Sequence, residues 1–262
     1  MPGIGRMNPK SLLNIKITLL LIFIGVPLFA YQNSSFSLFT PSALTEKEME
    51  ISIIHRFYGP VDEDVWDTLF GMNTGANVGL AFRRNLIYRI ELKGSYSRGG
   101  KRMELGASWQ PPTNTIPLDL QIDIAYFTFE QLGITERRKN LLYLVSAQRT
   151  LYPEWVILTT NLGYDGYYER FINGYALHLN YIRNVSIIGE YYPVWDRDSA
   201  SSDLERYIGK YDTFSFGVKY NTWGHHFIFS VGNGTQFHPA TQSLGTNNGS
   251  DLYFGFNIQR RL

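Results

Sequence analysis

TFSFGVKYNTWGHHFIFSVG, residues 213–232, decides the fold class. Phe214, Phe216, Val218 and Tyr220 alternate with Thr213, Ser215, Gly217 and Lys219. Successive side chains on a strand point to opposite faces, so the run has one apolar and one polar face. Asn221-Thr222-Trp223 then interrupts it, and a second strand-like run follows over 224–232. Two such runs joined by a tight break read as antiparallel neighbours.

Working outward, the same period recurs. Leu86, Tyr88, Ile90 and Leu92 alternate with Ile87, Arg89, Glu91 and Lys93. Met103, Leu105, Ala107 and Trp109 alternate with Arg102, Glu104, Gly106 and Ser108. Leu118, Leu120, Ile122 and Ile124 flank Asp119, Gln121 and Asp123, and Leu252, Phe254, Phe256 and Ile258 flank Tyr253, Gly255, Asn257 and Gln259. In all, twelve strands are predicted: 48–57, 75–82, 86–97, 101–109, 118–129, 139–150, 154–164, 173–182, 185–192, 211–220, 224–232 and 250–259. Two of them, 139–150 and 154–164, alternate poorly. Most are longer than the ~5–6 residues of a globular strand and match the ~9–11 of a membrane-spanning one.

Connections give a second pattern. Those after strands 1, 5, 7, 9 and 11 are long: 58–74, 130–138, 165–172, 193–210 and 233–249. The others are mostly tight: Arg83-Arg84-Asn85, Leu151-Tyr152-Pro153, Arg183-Asn184 and Asn221-Thr222-Trp223, although 110–117 is longer and the Gly99-Gly100 loop is short. Short turns on one side and long loops on the other characterise outer-membrane barrels. Closure also removes the sheet edges that a twelve-stranded open sheet would expose. Tyr88, Trp109, Tyr126, Tyr175, Tyr181, Tyr191 and Trp223 fall near predicted strand ends, where amphipathic rings suit the lipid–water boundary. If the apolar faces meet lipid, the opposite faces bring Glu50, Arg56, Arg89, Glu91, Lys93, Arg102, Glu104, Asp119, Asp123, Glu190 and Lys219 into the lumen. Charge at mid-bilayer costs ~2–4 kcal/mol for Arg or Lys, which forces this choice of face. The near balance of sign favours mutual pairing, with Lys93 and Glu104 in reach across the Gly99-Gly100 hairpin.

Composition narrows the function classes. The 262 residues carry 24 Lys+Arg and 23 Asp+Glu, which gives no basic field for nucleic acid. With no Cys, disulfides, thiolate metal sites and thiol catalysis are excluded. Residues 1–30 read as a signal peptide: Arg6, Lys10 and Lys16 precede an apolar run, Ile17–Ala30, too short for the ~20 residues of a spanning helix. Residues 31–47 are expected to form an N-terminal periplasmic segment, and 48–262 the barrel.

The segments PSALTEKEMEISIIHRF (41–57), LFGMNTGANVGLAF (69–82), IIGEYYPVW (187–195), SFGVKYNTWGHHFIFSVGNGTQF (215–237) and DLYFGFNIQR (251–260) together resemble a family of bacterial outer-membrane β-barrel proteins known only as a domain of unknown function. The most specific pieces are His55-Arg56-Phe57, Phe70-Gly71 with Gly75-Ala76-Asn77, and Gly224-His225 before Phe227. Trp223 stands where that family tends to have a first glycine. The resemblance implies fold and location and carries no activity.

Other constellations are read conservatively. His225 and His226, adjacent on a strand, point to opposite faces and cannot chelate one metal. A barrel hydrolase needs Ser, His and an orienting polar group together, so the discriminator is whether His55, His178 or His225 meets a Ser. Asp62, Glu63, Asp64 and Asp67, and likewise Asp196, Asp198, Asp203 and Glu205, read as solvated loop charge. No catalytic residue, metal or cofactor is assigned. The expected partners are outer-membrane lipid and small polar solutes or ions, with no nucleic acid. The leading expectation is an all-β, single, twelve-stranded antiparallel transmembrane barrel without enzymatic activity, structural or accessory, or a narrow channel with a charge-paired lumen. An integral outer-membrane hydrolase and a soluble periplasmic β-sandwich or lipocalin-like binder are the alternatives.

Overall fold

A computed structural model describes residues 35–41, 44–63, 65–112, 117–130, 137–152, 155–182, 184–195 and 208–262. The signal peptide assigned to 1–30, and Asp64, Asp196, Asp198, Asp203 and Glu205 of the acidic loop clusters, lie outside them.

Twelve antiparallel strands close on themselves, each paired with its sequence neighbours and the first with the last. They are β1 (Met49–Pro60), β2 (Ala76–Ile87), β3 (Ile90–Ser97), β4 (Arg102–Trp109), β5 (Asp119–Glu130), β6 (Arg137–Leu151), β7 (Val156–Asp165), β8 (Arg170–Ile182), β9 (Val185–Tyr192), β10 (Thr213–Asn221), β11 (His225–Gly232) and β12 (Tyr253–Arg261). Among the described residues two short α-helices lie in connections: α1 (Val65–Thr68) after β1 and α2 (Pro239–Gln242) between β11 and β12. The β1–β12 seam is finished by reciprocal backbone bonds between Met49 and Leu262, 3.1 and 2.8 Å. The connections after even-numbered strands and both ends of the barrel chain therefore share one rim, tight except at 110–118; those after odd-numbered strands share the other, short only at 98–101 and 166–169.

The register sorts every strand into two faces. Ile51, Ile53, Leu80, Phe82, Ile90, Leu105, Ile122, Ile124, Val218 and Phe229 are exposed and point outward. Glu50, Ser52, Glu91, Ser108, Gln121, Asp123, Ser146, Lys219 and Asn257 are buried and point inward. This inverts a soluble protein, as a strand flanked by lipid requires.

Two sequence expectations are corrected. The hairpin placed at Arg83-Arg84-Asn85 lies farther along, and the strand placed over 86–97 begins only at Ile90: β2 runs on to Ile87, and the chain turns at Tyr88-Arg89. Both turn residues adopt positive φ, 46° and 62°. A two-residue hairpin needs this backbone, and it is usually marked by Gly or Asn. Here neither marks it. Asn85 pairs with Glu91 past a bulge, so even-numbered residues face outward on both strands and the apolar alternation runs through the turn unbroken.

Candidate functional site: the occupied lumen

Most of the eleven charges assigned to the lumen are inside it. Glu50, Arg56, Glu91, Arg102, Asp123, Glu190 and Lys219 are buried; Glu104 and Lys93 are nearly so. Asp119 shares their parity but stands exposed at the first position of β5. Arg89 is a correction: as a turn residue it is exposed and outside the lumen. In its place β2 supplies Arg83, which the misplaced turn had hidden. Its guanidinium lies 2.9 Å from Glu50 and 3.4 Å from Glu91, itself 0% exposed.

The pairing also differs from expectation. Lys93 and Glu104 are not partners. Lys93 faces Gly106 across the β3–β4 ladder and its ammonium reaches past it to Asp123 on β5. Glu104 is held by Arg102, 3.2 Å away, and by His238 Nε2 at 3.0 Å. Gly106, lacking a side chain, leaves the long lysine a path to the farther carboxylate.

His238 belongs to the β11–β12 connection, which folds inward. Its Nδ1 accepts the Ala240 N–H at the start of α2. Burial, and then Arg102, push its imidazole below the usual histidine range against the opposing pull of Glu104 and Asp165. Ala240 and Leu244 of this connection join Phe127, Phe129, Leu142, Leu144, Tyr168 and Ile172 in an apolar cluster within the barrel. Gln242 donates to Ser37 Oγ at 3.2 Å, and its carbonyl accepts from Thr213 Oγ1.

Ser37 introduces the feature the sequence reading placed elsewhere. Residues 35–40, expected in a periplasmic segment, lie against inward-facing side chains, and most of them are buried. Glu190 Oε1 accepts the N–H groups of Phe36, Ser37 and Leu38, at 2.5, 3.0 and 3.2 Å. The Phe36 carbonyl accepts from Arg56 Nη2 at 3.0 Å and from Asn257 Nδ2 at 3.2 Å. Asn161 accepts the Phe39 N–H at 2.8 Å and donates to its carbonyl at 2.7 Å, as a neighbouring strand would. Nearer the tight-turn rim, Glu91 accepts the Leu44 N–H and Asn85 donates to the Leu44 carbonyl. The side chains fit as well: Phe36 packs on Ile188 and Ile228, and Leu38 on Ala176 and Tyr192. Beside the segment a cavity of about 160 Å³ remains, reached by Arg83, Lys93, Glu104 and His238.

All seven boundary aromatics are exposed on the outer face or in turns. Tyr88, Trp109, Tyr181 and Trp223 stand at the tight-turn rim; Tyr191 is near the opposite one, and Tyr126 and Tyr175 sit closer to mid-strand. The three discriminating histidines are also placed. His55 stacks on Phe256 at 4.4 Å and His225 near Phe227 at 6.1 Å, both outward. His178 is buried in the lumen, opposite Ile157 and Ile188.

The model of a family described as a membrane bound beta barrel domain, DUF5777, matches residues 150–262. No curated protein matches the chain. Among solved structures, the KdgM porin is similar at a TM-score of 0.50 and 9% identity, over 81% of this chain and 98% of that one. A KdgM porin in complex with disordered oligogalacturonate is similar at a TM-score of 0.51 and 9% identity, over 80% and 98%. At such identity the likeness is one of fold. The chain is an outer-membrane β-barrel.

Proposed function

We propose that the protein is a non-enzymatic outer-membrane channel for small polar solutes, closed at rest by its own residues 35–41 and Leu44 and by the inward-folded β11–β12 connection. The observation that carries this reading is the nature of the filling. Beside the paired charges of the strands, inward-facing strand side chains present polar groups to a separate length of chain. Glu190, Arg56, Asn257 and Asn161 all address its backbone. A filling made of tethered chain can withdraw without breaking a strand pair, and the cavity beside it is already bordered by charged groups. The porin likeness fits a conduit, and the mixed sign of the lumen gives no preference for anions or cations.

The apolar cluster from Phe127 to Leu244 favours a second reading, a permanently filled barrel with a structural or accessory role. Efflux separates the two. Liposomes carrying the full chain and loaded with glycine or glucose should leak slowly, and faster with Glu190→Gln. Equal retention by both would leave the structural reading standing.

A further inference from the structure

The lumen wall reads main chain. Three consecutive N–H groups converge on one buried carboxylate, and the carbonyl beside them takes a guanidinium and an amide. One peptide unit farther on, Asn161 engages both the N–H and the carbonyl of Phe39. None of these bonds depends on which residue carries the peptide group. The chain bends at Phe36, Ser37 and Leu38, which turns the three N–H groups to one side, and the apolar recesses, Ile188 with Ile228 and Ala176 with Tyr192, accept the Phe36 and Leu38 side chains of that bend. Arg56 is itself held in place by Asn257 Oδ1 at 2.7 Å and by the His55 carbonyl at 2.8 Å, so the guanidinium is oriented by the barrel.

We infer that the lumen is a peptide-binding site, and that short peptides able to bend as residues 36–38 do, with apolar side chains at the positions of Phe36 and Leu38, are the solutes that displace this segment. The inference rests on the channel reading for its purpose but on the geometry of the seat alone for its chemistry. Sugars lack the run of consecutive N–H donors that Glu190 collects. An oligosaccharide should therefore leave the segment seated, and a peptide should compete with it.

The chain has no Cys, so Ser37→Cys, at a buried position, installs a single reporter in the full-length protein. Its maleimide labelling rate reads withdrawal of the segment and needs no ion flow. The probe is a synthetic SFSLFTPSAL peptide, the sequence of residues 35–44. It should raise the labelling rate at least several-fold and saturably. A maltose oligomer at equal concentration should not. The same peptide N-methylated at the positions of Phe36, Ser37 and Leu38 should need at least about tenfold more to reach the same rate, since its charge-assisted hydrogen bonds to Glu190 are lost. No acceleration by the peptide, or equal acceleration by its methylated form or by the oligosaccharide, would overturn the inference. Liposome efflux from the same preparation judges the channel reading separately: leak without peptide-driven labelling refutes only the peptide site, and peptide-driven labelling without leak refutes only the channel.

Discussion

Replacing Glu190 with Gln tests the seat of the internal segment most sharply. The carboxylate collects three N–H groups, with Oε2 also accepting from Ser37 at 3.1 Å. A hydrogen bond to a charged group is worth ~1.5–3 kcal/mol against ~0.5–1.5 kcal/mol for a neutral one. Gln keeps one oxygen acceptor, loses the charge, and turns an NH₂ toward donors. The net loss is about 2 kcal/mol, one strong bond weakened and one N–H orphaned, or roughly 30-fold in the seated-to-withdrawn ratio. Amide hydrogen exchange in detergent or nanodiscs reads that ratio directly, because protection of a locally opening segment follows its opening free energy. The amides of Phe36, Ser37 and Leu38 should exchange about 30-fold faster in the variant. That of Val218, in the β10 ladder, should be unchanged. Equal acceleration at all four would mean that Glu190 stabilises the whole barrel. No change at the first three would refute the seat.

Three further outcomes follow from the facing and pairing. Leu105→Arg or Val218→Arg places a charge on the lipid face and should lower refolding stability into bilayers by ~2–4 kcal/mol, whereas Ser215→Arg on the inward face should cost less; equal denaturant shifts would contradict the facing. Arg83→Ala removes the nearest cation from both Glu50 and Glu91, leaving Glu50 only Arg261 at 3.9 Å, and should destabilise by up to ~3–5 kcal/mol, whereas Glu63→Gln on an exposed loop should register no shift in the same titration. His238 is held below the usual histidine range, so its neutral form supports the inward fold above the ordinary value of 6.5 and that support is lost as pH falls below it; Ala240, whose N–H donates to Nδ1, should then lose exchange protection, corrected for intrinsic rates, and constant protection down to pH 5 would contradict this.

The outer surface was legible because lipid imposes one rule on every strand, and that rule is local in sequence. Phe214 to Tyr220 obey it as plainly as Ile122 and Ile124 do. The lumen was less legible because its residues answer to segments far along the chain. The poor alternation of 139–150 and 154–164 shows this. Leu142, Leu144 and Ile157 point inward and are buried, two of them against an apolar cluster that includes α2 and Leu244. Broken period two was thus the trace of a filled lumen. Phe36 and Leu38 alternate with Ser35 and Ser37, yet nothing in so short a run names Glu190, more than 150 residues away, as its partner. Arg83 was missed for a different reason: a turn without glycine concealed the length of β2.

The central claim is that a tethered segment closes this barrel. Its most direct test is current through the full-length protein in planar bilayers, with the segment seated and with its seat weakened at Glu190 and Arg56 together. The unmodified protein should be closed for most of the record, with rare openings of one size. Glu190→Gln combined with Arg56→Gln should multiply the open fraction while leaving that size unchanged, because the strand framework is untouched. A steady current through the unmodified protein, or silence from both, would contradict the account.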